Sequence, residues 1–309
     1  MSALAEKNAV SVWHAYWELT KPGVVALLMV TAVIGMFLST PGMVPLRVLT
    51  LGSLGLALAM MGSAVVNQIM DRRIDAIMAR TSKRPLVQGR VDTRAALVFA
   101  AVLCVTALLI LDLFINRLTA VLTFFGVIGY AFVYTLWLKR ATPQNIVIGG
   151  LAGAIPPLLG WTAVTGEMHP HAWLLVLIIF AWTPPHFWAL AIHRREEYAK
   201  ADIPMLPVTH GLEFTKTSVL LYTVILFLTT LLPYLTGMSG LIYLLGSTVL
   251  GLIFLGYAVK LKFRNDPKVP MKTFGYSITY LFLLFLLLLV DHYFKYPLSN
   301  IIRAVQPPL

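Results

Sequence analysis

The chain has 309 residues, of which 59% are hydrophobic and only 12% are charged, and its mean hydropathy is +0.82. Soluble domains carry about twice that charged fraction, so the composition excludes an ordinary soluble protein. A net charge of +11 is compatible with a nucleic-acid partner. The positions of the positive residues, described below, instead explain the charge by the orientation of the chain in a membrane.

Several apolar stretches reach the roughly 20 residues that a membrane-spanning helix requires. The hydropathy pattern predicts nine such helices, at residues 22–39, 46–69, 95–113, 117–136, 144–161, 171–191, 217–235, 239–259 and 273–291. We therefore predict an all-α polytopic membrane protein in which residues 1–309 form one integral-membrane domain.

Twenty of the 24 Lys and Arg residues fall on one side of these predicted helices. That side comprises the N-terminal tail and the loops at 70–94, 137–143, 192–216 and 260–272. Positive residues concentrate on the cytoplasmic side of membrane proteins. The pattern therefore predicts a cytoplasmic tail (1–20) and a C-terminus outside, and it calls for no nucleic-acid partner.

The single cysteine and the N-terminus limit the chemistry and the location. Cys104 lies within the third predicted helix, which excludes an internal disulfide, a CxxC redox pair and a CxxCH haem attachment. The first 20 residues have no apolar core, so we expect the first helix to insert uncleaved. A bacterial inner membrane is the simplest location.

The two longest loops, 70–94 and 192–216, are predicted as cytoplasmic active-site loops because long loops with clustered charge tend to carry function. Each follows an even-numbered helix, and each contains acids followed by a short motif, "RPLVQG" or "MLPVTHG". This weak likeness predicts two related four-helix halves with one extra helix.

A row of oxygen-bearing side chains leads into the first loop. Asn67, Asp71 and Asp75 are spaced four residues apart, which places them on one side of a helix. Mg²⁺ usually takes one or two carboxylates and completes its shell with water and substrate phosphate. The basic residues around the row are Arg72, Arg73, Arg80, Lys83 and Arg84. Acid together with Arg indicates a metal-bridged polyphosphate, and a mere salt-bridge network is the alternative.

A second polar cluster lies in "WTPPHFWALAIHRREEYAKADIPMLP", residues 182–207. Pro184 and Pro185 are expected to interrupt the sixth helix, and His186 and His193, seven residues apart, share one helix face. The charged residues of the cluster are Arg194, Arg195, Glu196, Glu197, Lys200 and Asp202. Its three acids are candidate ligands of a second Mg²⁺, since two metals neutralise a diphosphate leaving group better than one.

These motifs resemble a known family. "NQIMDRRIDAIMARTSKRPL" is similar to the first Asp-rich motif of the UbiA-type intramembrane prenyltransferases, and "RTSKRPL" is typical of their haem branch, the protohaem IX farnesyltransferases. "ELTKPGV", "YTLWLKRATPQNIVIGGLAGAIPPLLGW" and "WTPPHFWALAIHRREEYAKADIPMLPVTHG" also resemble segments of that branch. The resemblance covers roughly residues 17–292. The second loop departs from the regular DxxxD of many members.

The resemblance implies nine transmembrane helices around a central cavity that opens toward the cytoplasmic loops. It implies transfer of a farnesyl group from farnesyl diphosphate to the vinyl group of haem b, with addition of water, to give haem o and diphosphate. Mg²⁺ is the implied cofactor. The resemblance also implies contact with membrane lipid, and haem-handling or oxidase-assembly proteins as partners.

On this basis Asn67, Asp71 and Asp75 are predicted to hold Mg²⁺. Tyr130 and Tyr134 are predicted to stabilise the farnesyl cation through their π faces, with an aromatic belt at the membrane interface as the alternative. The predicted phosphate contacts are Lys21, Arg80, Lys83, Arg84, Lys139 and Arg140, with Lys200 as a further basic contact.

For haem, His186 or His193 is predicted to ligate the iron as a neutral imidazole. The residues predicted to pair with the propionates are Arg72, Arg73, Arg194 and Arg195. Two other readings remain: a UbiA-type prenyltransferase with a different aromatic or tetrapyrrole acceptor, and a membrane transporter. The transporter is disfavoured because the acids gather at one membrane face and leave the helix interiors almost free of ionisable groups.

Overall fold

The computed structural model describes the backbone of residues 12–305 and, except at 132, 136 and 140, the side chains of 12–294. The first eleven residues of the predicted N-terminal tail and the Arg140 side chain lie outside this described part. Within it, all regular elements are helices.

The principal helices follow one another in an up-and-down order. They are α1 Val12–Leu19, α2 Pro22–Leu38, α3 Val48–Ile77, α4 Thr93–Ile115, α5 Arg117–Thr135, α6 Asn145–Thr165, α7 Pro170–His193, α8 Arg195–Lys200, α9 Gly211–Leu235, α10 Leu241–Phe263 and α11 Val269–Val305. Eight of them are long and apolar enough to cross a membrane, and the pair α1–α2, bent by 45°, is a ninth candidate when it is counted as one broken span. The predicted polytopic helical fold is confirmed, and its division into two related halves stays a prediction.

The predicted tail contains an ordered helix. Ala15 and Leu19 of α1 are fully buried and pack against Val65 of α3 and Leu86 of the following loop. The Gln68 side chain donates 2.9 and 3.3 Å hydrogen bonds to the carbonyl oxygens at the end of α1. This contact fixes the break between α1 and α2 against the middle of the protein.

Lys21 stands in that break with a left-handed backbone, at φ 51° and ψ 58°. Such a conformation costs free energy in a residue other than glycine, and it persists only where surrounding contacts hold it. Pro22 then begins α2, in the first-turn position where a missing N–H is harmless.

Helices α2 and α6 approach each other through a glycine. A Cβ atom at Gly160 would overlap the carbonyl group of Ala32 in α2. Small residues permit this close backbone packing in membrane proteins, where no hydrophobic effect drives helices together. The contact packs α2, near the N-terminus, against α6, near the middle of the sequence.

Helix α7 is continuous from Pro170 to His193, so the predicted interruption at Pro184 and Pro185 is wrong. A proline ring has a helical φ, but it lacks an N–H and crowds the carbonyl four residues earlier. In a membrane protein, neighbouring helices can compensate for the freed backbone groups. Helix α7 is the most buried of the spans, and neighbouring helices enclose it. Trp182 Nε1, for example, donates a 2.8 Å bond to the Ser277 carbonyl of α11.

From Gly129 the helix widens into a π-helix that continues beyond the end of α5 to Leu138. The Thr135 hydroxyl donates a 2.8 Å bond to the Tyr130 carbonyl inside this wide turn. Such turns are rare and occur frequently at functional sites. This one is followed directly by Lys139, the first residue of a short helix, Lys139–Ala141.

Candidate active site

The last turns of α3 carry the predicted acidic row. Asn67, Asp71 and Asp75 are only 3–4% exposed, whereas Arg72 and Arg73 on the other faces of the same helix are exposed. The four-residue spacing produces this division because it returns each side chain to nearly the same side of the helix. The structure thus brings the three predicted ligands together on one buried face.

Asn67 lies at the centre of a hydrogen-bond network. Its amide nitrogen donates to Asp71 Oδ2 at 3.0 Å and to Thr135 Oγ1 of the wide turn at 3.1 Å. Its amide oxygen accepts a hydrogen bond from Lys21 Nζ. The first ligand of the row is therefore oriented by residues from three different segments.

Each member of the row is in contact with a basic side chain. Lys139 Nζ lies 2.7 Å from Asp71 Oδ2, and Arg84 lies 2.5 Å from Asp75 Oδ2, while Lys21 binds Asn67. These three bases come from the α1–α2 break, the segment after α5 and the first loop. The backbone carbonyl of Lys139 accepts a 3.2 Å bond from the fully buried Asn145, which fixes the start of that side chain.

One oxygen of the row has no partner among the described residues. Asp71 Oδ1 is buried and makes no hydrogen bond. A buried carboxylate oxygen without a partner is costly, and a hard cation satisfies it directly. The donor set of two carboxylates and an amide suits Mg²⁺, which prefers oxygen ligands. The residues present therefore fit the predicted metal.

The predicted phosphate contacts of the first loop are divided. Arg84 reaches the row, while Arg80 and Lys83 are exposed at the surface. The loop is anchored because the buried Thr81 hydroxyl donates a 3.0 Å bond to the Asp75 carbonyl. It is further held by Arg90, which binds the Lys83 carbonyl at 3.1 Å.

Tyr130 and Tyr134 stack on each other, with ring centroids 5.7 Å apart and planes inclined by 19°. Tyr134 packs so closely on α6 that a Cβ atom at Gly149 would overlap its ring. Tyr134 directly precedes Thr135 in the chain, and the Thr135 side chain contacts both the Tyr130 carbonyl and Asn67. The wide turn thus places the stacked pair next to the acidic row.

The acids of the second loop do not converge. Glu197 pairs with Arg194 at 2.9 Å, Glu196 is exposed, and Asp202 is exposed in a left-handed conformation at φ 52°. No group of three His, Cys, Asp or Glu side chains among the described residues lies close enough to hold a metal ion. A second metal at these acids stays a prediction. Arg195 and Lys200 are exposed as well.

The two active-site loops meet through an apolar cluster. Met78 of the first loop packs with Trp188 of α7 and Ile203 of the second loop, and Tyr198 of α8 lies against the same cluster. Burial raises the pKa of the Tyr198 phenol, although the guanidinium groups of Arg80 and Arg194 act in the opposite direction. These contacts bring the second loop over the first.

The two candidate histidines have different environments despite sharing a helix face. His193 is exposed at the end of α7. His186 is buried and lies between the rings of Trp182 and Phe274, with centroid distances of 4.2 and 4.6 Å. Its Nδ1 is 2.7 Å from the hydroxyl oxygen of Ser277.

The bonds of Ser277 favour one tautomer of His186. The serine hydroxyl donates its one proton to the Phe274 carbonyl at 2.6 Å, so it accepts from His186 Nδ1. A neutral imidazole with its proton on Nδ1 has a lone pair on Nε2. This arrangement, in which the second nitrogen is fixed by a hydrogen bond, is the one that metal-binding histidines use.

Arg72 and Arg73 do not join the acidic row. Arg72 donates a 3.0 Å bond to the Thr93 hydroxyl, and both side chains line a groove together with Ala76 and Val87. The predicted pairing of these two arginines with haem propionates would therefore require an acceptor on the exposed side of α3.

Several residues of the site were not predicted from the sequence. Thr135, Asn145 and Ser277 hydrogen-bond to predicted residues, and Gln68 bonds to the carbonyl groups just before Lys21. Gln68 and Asn145 carry a detectable signal, since each is a polar side chain within or at the edge of an apolar segment. Thr135 and Ser277 carry none, because threonine and serine commonly bond to their own helix.

Residues 28–289 match the UbiA prenyltransferase family. The chain is 69% identical to the protoheme IX farnesyltransferase of Alcanivorax borkumensis over 291 residues, which make up 94% of this chain and 96% of that protein. It is 60% identical to the protoheme IX farnesyltransferase of Saccharophagus degradans, again over 94% of this chain and 96% of the relative.

Solved structures show the same fold at low sequence identity. The structure of a UbiA homolog from Archaeoglobus fulgidus bound to GPP and Mg²⁺ has a TM-score of 0.61 at 20% identity, covering 89% of this chain and 99% of that one. A digeranylgeranylglyceryl phosphate synthase has a TM-score of 0.77 at 19% identity, covering 91% of this chain and 99% of that one. The chain belongs to the UbiA prenyltransferase family and, within it, to the protoheme IX farnesyltransferases.

Proposed function

We propose that the chain transfers the farnesyl group of farnesyl diphosphate to a vinyl group of haem b, with addition of water, and releases haem o and diphosphate. The observation that carries this proposal is the buried row of Asn67, Asp71 and Asp75. Asp71 Oδ1 has no partner among the described residues and would bind a cation. The three basic side chains in contact with the row would bind the phosphates.

Asn67, Asp71 and Asp75 would hold Mg²⁺, which when bound neutralises charge on the diphosphate and makes it a better leaving group. Lys21, Lys139 and Arg84 add fixed positive charge where negative charge develops as the carbon–oxygen bond breaks. Arg84 can hold two phosphate oxygens at once because its guanidinium group is a planar fork.

The departing diphosphate leaves an allylic farnesyl cation, which water destroys quickly. The surrounding helices are apolar along their lengths, and they form a dry environment for the C15 chain and the cation. The stacked Tyr130 and Tyr134 present π faces near Asp71 and stabilise positive charge. Attack by the vinyl carbon moves the charge to the carbon next to the haem ring, where water adds and loses a proton.

His186 is the better of the two candidate iron ligands. Its Nδ1 proton is committed to Ser277, so the Nε2 lone pair is the one available for iron. Two aromatic rings hold the imidazole plane. His193 has no comparable support. Arg194 and Arg195 at the end of α7 remain candidates for the propionates, while Glu196, Glu197 and Asp202 remain candidates for a second Mg²⁺.

The distribution of Lys and Arg supports an orientation with the N-terminus and both active-site loops in the cytoplasm and the C-terminus outside. Since the named relatives are bacterial, we assign the chain to a bacterial inner membrane. Haem-handling or oxidase-assembly proteins are the expected partners, because both haem substrate and product are poorly soluble in water.

The acceptor distinguishes this proposal from prenyl transfer to another aromatic or tetrapyrrole. Purified protein with Mg²⁺ and farnesyl diphosphate is offered haem b, another tetrapyrrole or an aromatic quinone precursor, and the products are weighed by mass spectrometry. We expect only haem b to gain one farnesyl group and one water. Prenylation of a different acceptor, with haem b unchanged, would favour the alternative.

A further inference from the structure

Lys21, Lys139 and Arg84 are proposed above to bind phosphate, and all three also contact the proposed metal ligands. Lys139 binds the same Asp71 carboxylate that is proposed to bind Mg²⁺, Arg84 binds Asp75, and Lys21 binds the amide oxygen of Asn67. Every member of the proposed ligand set is thus engaged by a basic group of the chain itself.

A metal ion arriving alone competes with these groups. Two positive charges at contact distance repel, and the repulsion is strongest in a buried site of low dielectric constant. Asp71 and Asp75 are both buried, and so are most of the Lys139 and Arg84 side chains. Free Mg²⁺ therefore has to enter a site in which basic groups already occupy an oxygen of each ligand.

A diphosphate removes this obstacle. It supplies phosphate oxygens for the same bases, and lysine in particular can swing to them on its flexible four-carbon stem. The carboxylates and the Asn67 oxygen then become available to the metal. Diphosphate binding and metal binding each remove the cost that the other would meet.

We propose that Lys21, Lys139 and Arg84 are internal counter-ions of the acidic row that exchange from the metal ligands to the diphosphate, so that metal and diphosphate bind cooperatively. This inference rests on the proposed metal site. The left-handed backbone of Lys21 and the Gln68 bonds to the preceding turn hold one counter-ion aimed at Asn67, and the Asn145 bond holds the Lys139 backbone.

Cooperativity of this kind is reciprocal, and couplings between sites are commonly about 5- to 150-fold. The test uses Mn²⁺ as a paramagnetic probe and inorganic diphosphate as the second ligand. Protein-bound Mn²⁺ is measured by electron paramagnetic resonance for the full chain in detergent, and a protein-free mixture corrects for Mn²⁺ bound to diphosphate in solution.

For Lys139→Gln we expect opposite effects on the two ligands. Mn²⁺ alone should bind roughly fivefold or more tightly than to the unaltered protein, because a competitor is gone, whereas diphosphate should bind more weakly. Lys21→Gln should change both affinities in the same directions, so the test survives if one variant fails to fold. Lys272→Gln, an exposed lysine at the start of α11, is the control and should change neither.

Two outcomes contradict the inference. One is equal Mn²⁺ affinity of the unaltered protein with and without diphosphate. The other is a Mn²⁺ affinity that stays constant or falls in both lysine variants, which would make the lysines structural supports of the metal site. Asp71→Asn distinguishes a failure of the counter-ion exchange from a failure of the metal site itself. If this variant binds Mn²⁺ as tightly as the unaltered protein, the proposed metal site is wrong, and so is the counter-ion exchange.

Discussion

Asn67 donates a 3.1 Å hydrogen bond to Thr135, and Thr135 in turn donates a 2.8 Å bond to the Tyr130 carbonyl. The two bonds connect the first ligand of the acidic row to the wide turn that carries the stacked tyrosines. The proposed metal site and the proposed cation-stabilising site therefore share one hydrogen-bond network.

Replacing Thr135 with valine should weaken metal binding, because Asn67 loses the acceptor that fixes its amide. Second-layer partners of metal ligands are commonly worth about 10- to 100-fold in affinity or activity, and we expect an effect in that range. Thr135→Ser, which keeps the hydroxyl, should retain most activity. The measurement is the Mg²⁺ dependence of farnesyl transfer, and identical curves for the two variants would contradict the network.

Gly149→Ala should displace Tyr134, because the added methyl group would overlap its ring. Overpacking of this kind costs about 1–3 kcal/mol of stability, and the loss should appear in thermal unfolding together with a fall in activity. Gly153→Ala is a matched control in the same "GGLAG" segment, since a Cβ there meets nothing within 4 Å. Equal behaviour of the two variants would argue against a close Tyr134 contact.

His186→Ala should change the visible spectrum of bound haem, and His193→Ala should leave it nearly unchanged, because only His186 has a fixed neutral tautomer. Added imidazole should restore the spectrum of His186→Ala if iron ligation was lost. Ser277→Ala should give a smaller change, since the ring keeps both aromatic neighbours. Unchanged spectra in both histidine variants would rule out either residue as the iron ligand.

Arg84→Gln should raise the KM for farnesyl diphosphate and lower kcat, by about 100-fold in kcat/KM, the scale seen when one preorganised charge-stabilising donor is removed. Lys272→Gln should stay within about twofold, as is usual for exposed positions, because Lys272 is exposed at the start of α11 and has no predicted role. A large loss in Arg73→Gln with haem as the varied substrate would instead support its predicted role at a propionate.

The spans and the acidic row could be predicted because both follow simple periods. Length and hydropathy define a membrane helix, and a four-residue spacing places Asn67, Asp71 and Asp75 on one face whatever surrounds them. The contact of Lys139 with Asp71 joins residues 68 positions apart, and no sequence period reports such a pair. The π-helix at the end of α5 has no recognised sequence pattern, so the partnership of Thr135 with Asn67 could not be foreseen.

Residue spacing alone does not predict which side chains are buried or whether a helix is continuous, because both depend on the packing of neighbouring helices. His186 and His193 share a helix face, yet neighbouring helices bury one and leave the other exposed. Pro184 and Pro185 are helix breakers by local rule, but α7 stays continuous because its neighbours enclose it. A second metal at the acids of the second loop stays a prediction, and Glu197 pairs there with Arg194.

The most direct test of the central claim compares the unaltered protein with Asp71→Ala in one assay. Purified protein is incubated with haem b, farnesyl diphosphate and Mg²⁺, with and without a chelator, and the haem is weighed by mass spectrometry. We predict a gain of one farnesyl group and one water in the unaltered protein, abolished by the chelator and by Asp71→Ala. Unchanged haem with correctly folded protein, or full activity of Asp71→Ala, would contradict the account.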